Sequence, residues 1–215
     1  MKKLKVGVLG ATGMVGQRFI TLLNNHPWFE VTVLAASPGS AGKTYQEAIT
    51  GKWKIEEEIP QWVKNIKILR AEEDMNKITP KVDLVFSALD MEKEEIKKLE
   101  IEYASRDVAV VSNNSAHRWT EDMPMIIPEV NPHHVKLIDY QRKNRGWKKA
   151  IKRAGLPTNG KSTPQRANIF LKSKRVFPRH FRAPPPLEHG VRETMAPGTK
   201  NLNTLELDVT YEFFR

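Results

Sequence analysis

The sequence contains no cysteine. That one absence removes disulfides, thiolate metal sites and thiol nucleophiles together. Long apolar runs are missing as well, and no uninterrupted stretch approaches the roughly 20 residues needed to cross a bilayer. The basic opening "MKKLKVGVLGATG" breaks into glycines after a short apolar run and reads as a first strand rather than a secretion signal. Nothing in it directs the chain out of the cytosol, and a cytoplasmic location is expected. No metal-ligand spacing is present: His117, His133 and His134 read as surface or capping residues. Glu56, Glu57 and Glu58 read as a solvated acidic run rather than a catalytic pair.

The charge that is present is unevenly placed. Residues 1–150 carry 23 Lys and Arg against 20 Asp and Glu, whereas residues 151–215 carry 12 against 5. The 14 prolines divide equally between the two stretches although the second is less than half as long. The composition therefore changes near Ala150, and the chain divides there into a first domain (1–150), whose binding role is read from its motifs below, and an irregular, Pro-rich basic tail (151–215) predicted to be poorly structured.

In the first stretch, short apolar segments alternate with helical ones. "LKVGVL", "EVTVLAAS", "IKIL", "KVDLVFSAL" and "DVAVVSN" read as strands. Residues 13–25 follow helical spacing, with Met14, Phe19, Leu22 and Leu23 on or near one face. "EKEEIKKLEIEYASR" reads as an exposed amphipathic helix with charges at i, i+4. "NPHHVKLIDYQRKNR" reads as a helix capped by Asn131, with Pro132 at its first position and Val135, Ile138 and Tyr140 supplying apolar surface. Apolar strands alternating with helices predict an α/β, doubly wound, Rossmann-like and mostly parallel sheet. After Ala150 no helical period is sustained, and only "LNTLELDVTYEFF" alternates like a strand.

The most specific local signal is "GVLGATGMVGQRF". A strand that runs into glycines and then a helix builds an anion site, because the glycines permit a tight turn and a close backbone approach. The helix N-terminal N–H groups then face a phosphate. Gly10, Thr12, Gly13 and Gly16 stand where a dinucleotide pyrophosphate requires them. The second strand ends "LAASPGSAGK", with no carboxylate to repel a 2′-phosphate. Ser37 and Ser40 offer hydroxyls there and Lys43 a cation, which predicts NADP rather than NAD. A second glycine motif, "GLPTNGKS" at residues 155 to 162, satisfies the P-loop expression but lacks the buried strand and the helix that a working P-loop needs.

Six segments in series, "GVLGATGMVGQRF", "LAASPGSAGK", "VDLVFSAL", "VVSNNSAHR", "MIIPEVNPHH" and "QRKNRGW", resemble the aspartate-semialdehyde dehydrogenase family in its archaeal and fungal form. The resemblance runs from residue 4 to about 150. It implies NADPH-dependent reduction of β-aspartyl phosphate to aspartate semialdehyde, the branch step towards lysine, threonine and methionine. It implies that Gly10, Thr12, Gly13, Met14 and Val15 hold the pyrophosphate and ribose, with Ser37 and Ser40 near the adenosine phosphate. Ser87, Ala88 and Leu89 would line the nicotinamide side. Asn114 and Ser115 would belong to the loop entering the active site, and Arg118 would receive the substrate phosphate through its fork of donors.

The family's chemistry is covalent and uses a cysteine thiolate shortly after "RGW", following an apolar strand. Here "RGWKKA" runs into "IKRAGLPTNGKST", with neither that strand nor the cysteine, and the family's second domain is unmatched; His180 and His189 align with nothing in it. The loss of pattern reads as a truncated, fused or frameshifted form. The alternatives are a cofactor-binding module without turnover and a nucleic-acid-binding protein acting through the basic tail. A related malonyl-CoA reductase shares the first domain, but "SNNSAHR" fits the semialdehyde enzyme better. No homo-oligomer is inferable without the second domain.

Overall fold

In a computed structural model the described residues are 3–126 and 131–154. The P-loop-like stretch, His180, His189 and the "LNTLELDVTYEFF" segment lie outside them.

Seven strands form one sheet. They are β1 (Leu4–Leu9), β2 (Phe29–Ala36), β3 (Ile68–Arg70), β4 (Leu84–Ser87), β5 (Ala109–Ser112), β6 (Met125–Ile126) and β7 (Ile151–Ala154). Their spatial order is β3-β2-β1-β4-β5-β7-β6, and every pair within the sheet is parallel. The helices between them are α1 (Met14–Leu23), α2 (Tyr45–Ile49), α3 (Met75–Ile78), α4 (Lys93–Ser105) and α5 (Lys136–Arg145).

Alternation along each strand explains why both faces are covered. Val6, Val8, Leu34, Phe86 and Val111 pack into one apolar cluster with Phe19, Ile20 and Leu23 of α1 and Ile138 of α5. Leu9, Val33, Ala35, Val85 and Val110 point the other way, into a second cluster with Met75 and Ile78 of α3 and Leu99 and Tyr103 of α4. The doubly wound class is thus the observed one. The strand order reverses at β1, which lies between β2 and β4, and ligands of such sheets bind at that point, outside the carboxyl ends of the strands.

Several local expectations are corrected. The strand thought lost after "RGW" is present. Ile151–Ala154 inserts between β5 and β6, pairing Val110 with Ile151 and Met125 with Arg153, so the sheet continues past the compositional boundary at Ala150. Its charge misled, because Lys152 and Arg153 make half of the strand polar and its place comes from pairing with β5 and β6. Asn131 makes no side-chain cap: its amide donates to the Met125 carbonyl at 2.8 Å, and a short 3-10 turn (Pro132–Val135) precedes α5. Tyr140 is exposed, and α5 instead buries Ile138 and Gln141. Met14 is exposed at the start of α1. Glu56, Glu57 and Glu58 are exposed as read, and Glu57 pairs with Arg18 at 2.8 Å.

Gln141 is what secures the added strand. Its side chain is fully buried; Nε2 donates to the Asp122 carbonyl at 2.9 Å and Oε1 accepts from the Ile151 N–H at 2.8 Å. One amide thus satisfies two backbone groups far apart in the chain. Gln141→Leu keeps the volume and leaves both unpaired, at about 1–3 kcal/mol for each buried group. The expected outcome is a lower unfolding free energy in denaturant, with faster amide exchange at Ile151 and unchanged exchange in β1 and β2.

Candidate functional site

The site is built around the β1–α1 turn. Gly10 has φ +79°, and a Cβ there would lie 2.2 Å from the Ala88 carbonyl oxygen at the end of β4. A Cβ on Gly16 would lie 2.1 Å from the Gly10 carbonyl oxygen and 2.7 Å from Ala11 Cα. Backbone meets backbone at both positions, so no side chain fits. Gly13 differs: its φ is −72°, and a Cβ there would meet only the Gly10 oxygen, at 3.5 Å. It caps α1 with no side-chain hydrogen bond, and the first turn carries no acidic residue. The N–H groups opening α1 therefore have no side-chain acceptor, which suits an anion.

The turn is held from outside. Gly10 and Ala11 N–H donate to the Ala35 carbonyl at 2.8 and 3.0 Å. The buried Tyr45 hydroxyl donates to the Ala11 carbonyl at 3.1 Å, and burial pushes that phenol well above its ordinary pKa. Gln17, also buried, donates to the Thr12 and Lys52 carbonyls and accepts from the Lys54 N–H. α2, which presents Tyr45, begins with a capping box formed by Thr44 and Glu47.

A cleft of about 380 Å³ opens beside the turn, over the carboxyl ends of β1, β2, β3 and β4. Gly10, Thr12, Gly13, Ser37, Ala88 and Leu89, all singled out from the sequence, line it. Met14 and Val15 do not. Val15 packs against the core, which leaves its backbone N–H as the group available at the turn. Ser40 is buried outside the lining, and the Lys43 ammonium donates to the Gly39 carbonyl at 3.1 Å. Sequence reasoning missed Arg70, Glu72 and Glu73, which reach the cleft from the end of β3 and the turn after it. A strand end beside β2 was the one signal that could have found them.

At the other end, Ser87 and Asn114 meet. Ser87 is fully buried, and its hydroxyl accepts from Asn114 Nδ2 at 3.1 Å. The residue that organises this loop is Glu100 of α4, fully buried and not identified from the sequence. Its Oε1 accepts from Ser112 Oγ at 2.7 Å and from Asn114 Nδ2 at 3.2 Å, and its Oε2 lies 3.6 Å from His117 Nε2. The signal was available: Ile96, Leu99, Glu100, Tyr103 and Ala104 share the buried face of α4, so the carboxylate stands in the apolar stripe. His117 is corrected too. It is buried, with Nδ1 3.2 Å from Thr120 Oγ1, and burial pushes its pKa down to about 4, helped by Arg145 and Lys97. Its ring is neutral at pH 7. Ser115 and Arg118 follow on the same loop, half-buried and exposed respectively, with the Arg118 N–H donating to the Ser115 carbonyl at 3.1 Å. The loop's far side is tied by Asp122, whose carboxylate takes both a short contact from Arg145 Nε and a 2.7 Å bond from Arg145 Nη2. Among the described residues no group of three or more His, Asp or Glu is placed to hold a metal ion, and no helix is long and apolar enough to cross a membrane.

A parallel sheet, a glycine turn at its reversal point and an uncapped helix start define a dinucleotide-binding α/β domain. The comparisons narrow that class. The family described as semialdehyde dehydrogenase, NAD binding domain, matches residues 5–138, and the chain belongs to that family. It is 46% identical over 145 residues to an aspartate-semialdehyde dehydrogenase of Archaeoglobus fulgidus, covering 67% of this chain and 40% of that protein. It is 40% identical over 147 residues to a malonyl CoA reductase (NADP) of Metallosphaera sedula, covering 68% of this chain and 39% of that one. Its fold matches the crystal structure of the Candida albicans aspartate semialdehyde dehydrogenase with NADP at a TM-score of 0.60 and 38% identity, covering 70% of this chain and 42% of that one. The chain thus matches about two fifths of the length of these relatives.

Two outcomes follow from the geometry. Alanine in a helix interior ordinarily gains about 1 kcal/mol over glycine, but Gly16→Ala should lose about 2–3 kcal/mol through overlap with Gly10, while Gly13→Ala leaves the thermal midpoint nearly unchanged. For His117 the folded-state pKa lies below the ordinary 6.5, so the unfolded chain takes up the proton first. Stability should fall as pH drops from about 6.5 through about 4, and His117→Gln should flatten that fall in denaturant titrations.

Proposed function

We propose that these residues form the NADPH-binding half of an aspartate-semialdehyde dehydrogenase. The observation that carries the reading is the glycine turn closed against Ala88, with an uncapped α1 on one side and no carboxylate at the end of β2 on the other. The fit is of the right kind: the turn leaves backbone N–H groups without side-chain acceptors, and the cleft beside it continues past Ser37.

In this reading the N–H groups of Gly13, Met14 and Val15 hold the pyrophosphate, and Gly10 and Thr12 shape the turn beneath it. Ser37, Ser40 and Lys43 serve the adenosine phosphate. Ser87, Ala88, Leu89 and Asn114 position the nicotinamide. Ser115 and Arg118 take the substrate, Arg118 as the guanidinium that pairs with the acyl phosphate. Glu100 keeps the loop from Ser112 to His117 in one arrangement, since a buried carboxylate with several donors costs free energy to rearrange. NADPH, when bound, supplies the hydride that reduces the acyl group to the aldehyde. The product is a precursor for lysine, threonine and methionine, and the setting is cytoplasmic. The 215 residues hold no thiol, so the acyl-enzyme step of the family is not carried by them.

Calorimetric titration of the purified chain tests the reading. NADPH should bind with one site per chain, and Gly13→Ala should weaken binding about tenfold or more while the protein remains folded. With aspartate semialdehyde, phosphate and NADP, the absorbance of the reduced nicotinamide should not rise. A folded chain that takes up neither NADPH nor NADH overturns the assignment.

A further inference from the structure

The sequence points to Ser37, Ser40 and Lys43 for the phosphate that distinguishes NADP from NAD, yet only Ser37 of these three lines the cleft. Among the described residues the cation that does line it is Arg70. Arg70 is the last residue of β3, and the parallel register sets it opposite Ala36, the last residue of β2. The end of β2 is where sheets of this type place the group that contacts the adenosine ribose. Ser37 follows Ala36 directly. Ser37 and Arg70 therefore stand at the ends of adjacent strands, both on the wall of the cleft.

We propose that Arg70 is a specificity-determining residue for the 2′-phosphate of NADP, with Glu73 as the acid that holds the guanidinium when the phosphate is absent. The proposal rests on the dinucleotide reading above. Three features support it. First, the Arg70 backbone is fixed: its N–H donates to Asp74 Oδ2 at 2.9 Å, and its carbonyl accepts from the Asp74 N–H at 3.3 Å. The side chain thus leaves a defined point on the cleft wall. Second, Arg70 Nη1 pairs with Glu73 Oε2, and both side chains are substantially exposed, at 44% and 60%. An ion pair in that setting is weak and is readily exchanged for a dianion that accepts two parallel hydrogen bonds. Third, the cleft also carries the carboxylates of Glu72, Glu73 and Asp90. Arg70 is the cation that offsets these acids among the lining residues, so the charge balance on this wall of the cleft turns on it.

The test compares NADPH with NADH on the whole chain, by calorimetry or nicotinamide fluorescence, at two salt concentrations. Arg70→Ala should raise the Kd for NADPH about tenfold and leave that for NADH within about twofold, and adenosine 2′,5′-bisphosphate should lose its power to compete. Arg70→Lys should recover part of the preference, because charge is kept but the fork is not. Glu73→Gln should tighten NADPH alone. An unchanged NADPH-to-NADH ratio in Arg70→Ala, or equal weakening of both, overturns the role of Arg70 and leaves the domain assignment standing. A folded wild-type chain that binds neither nucleotide overturns the assignment itself and this proposal with it. Circular dichroism of each variant separates lost binding from lost fold.

Discussion

The structure depends on how closely three stretches of backbone approach one another at the end of β1. Gly10 turns under the Ala88 carbonyl, and Gly16 of α1 rests on Gly10 and Ala11 with no space for a methyl group. That contact sets where α1 begins, and hence where its uncapped N–H groups point. It also sets how β1, β4 and α1 pack, because the same turn joins the sheet's reversal point to its first helix. Hydrogen bonds from Tyr45 and Gln17 then clamp the turn from α2 and from residues 52–54. The shape of this turn is therefore a property of packing.

Buried polar side chains carry out the rest of the organisation. Gln17 fixes the turn, Gln141 ties β7 to α5, and Glu100 gathers Ser112, Asn114 and His117. Each sits in an apolar stripe and is matched with donors or acceptors, as burial demands. They share a consequence: each joins segments distant in sequence, so each converts a helix face into a constraint on a loop. In the Glu100 cluster the constraint falls on the loop that bears Ser115 and Arg118. Its neutral His117 adds no charge to a region that already holds a buried carboxylate.

In the reading proposed above, cofactor recognition and covalent chemistry are physically separable. The described residues contain the cleft, the turn and the loop, whereas the sequence contains no thiol. The matched relatives are more than twice as long as the region they share with this chain. The glycine turn and the cleft beside it come from β1, α1 and their immediate neighbours in the sheet.

What the sequence determined by itself was whatever is encoded over short stretches. The five strands read from it are all present, because a strand buried on both faces shows as a short, nearly continuous apolar run. The glycine turn was legible because only glycine accepts φ +79° with a carbonyl oxygen so near. Gly10, Thr12, Gly13 and Ser37 were legible because each lies at the carboxyl end of a recognised strand or at the start of a recognised helix, whereas Ala88 and Leu89 came from the family resemblance; all six line the cleft. Tertiary structure alone decided the remainder. β7 was missed because its four residues owe their place to pairing with β5 and β6 and to a side chain ten residues away. Glu100 could have been read from its place in the apolar stripe of α4, but Gln141 and Arg70 look like surface residues in a charged sequence. Their burial, or their place on the cleft wall, follows from which strand ends become neighbours, and that is settled only when the whole sheet has formed.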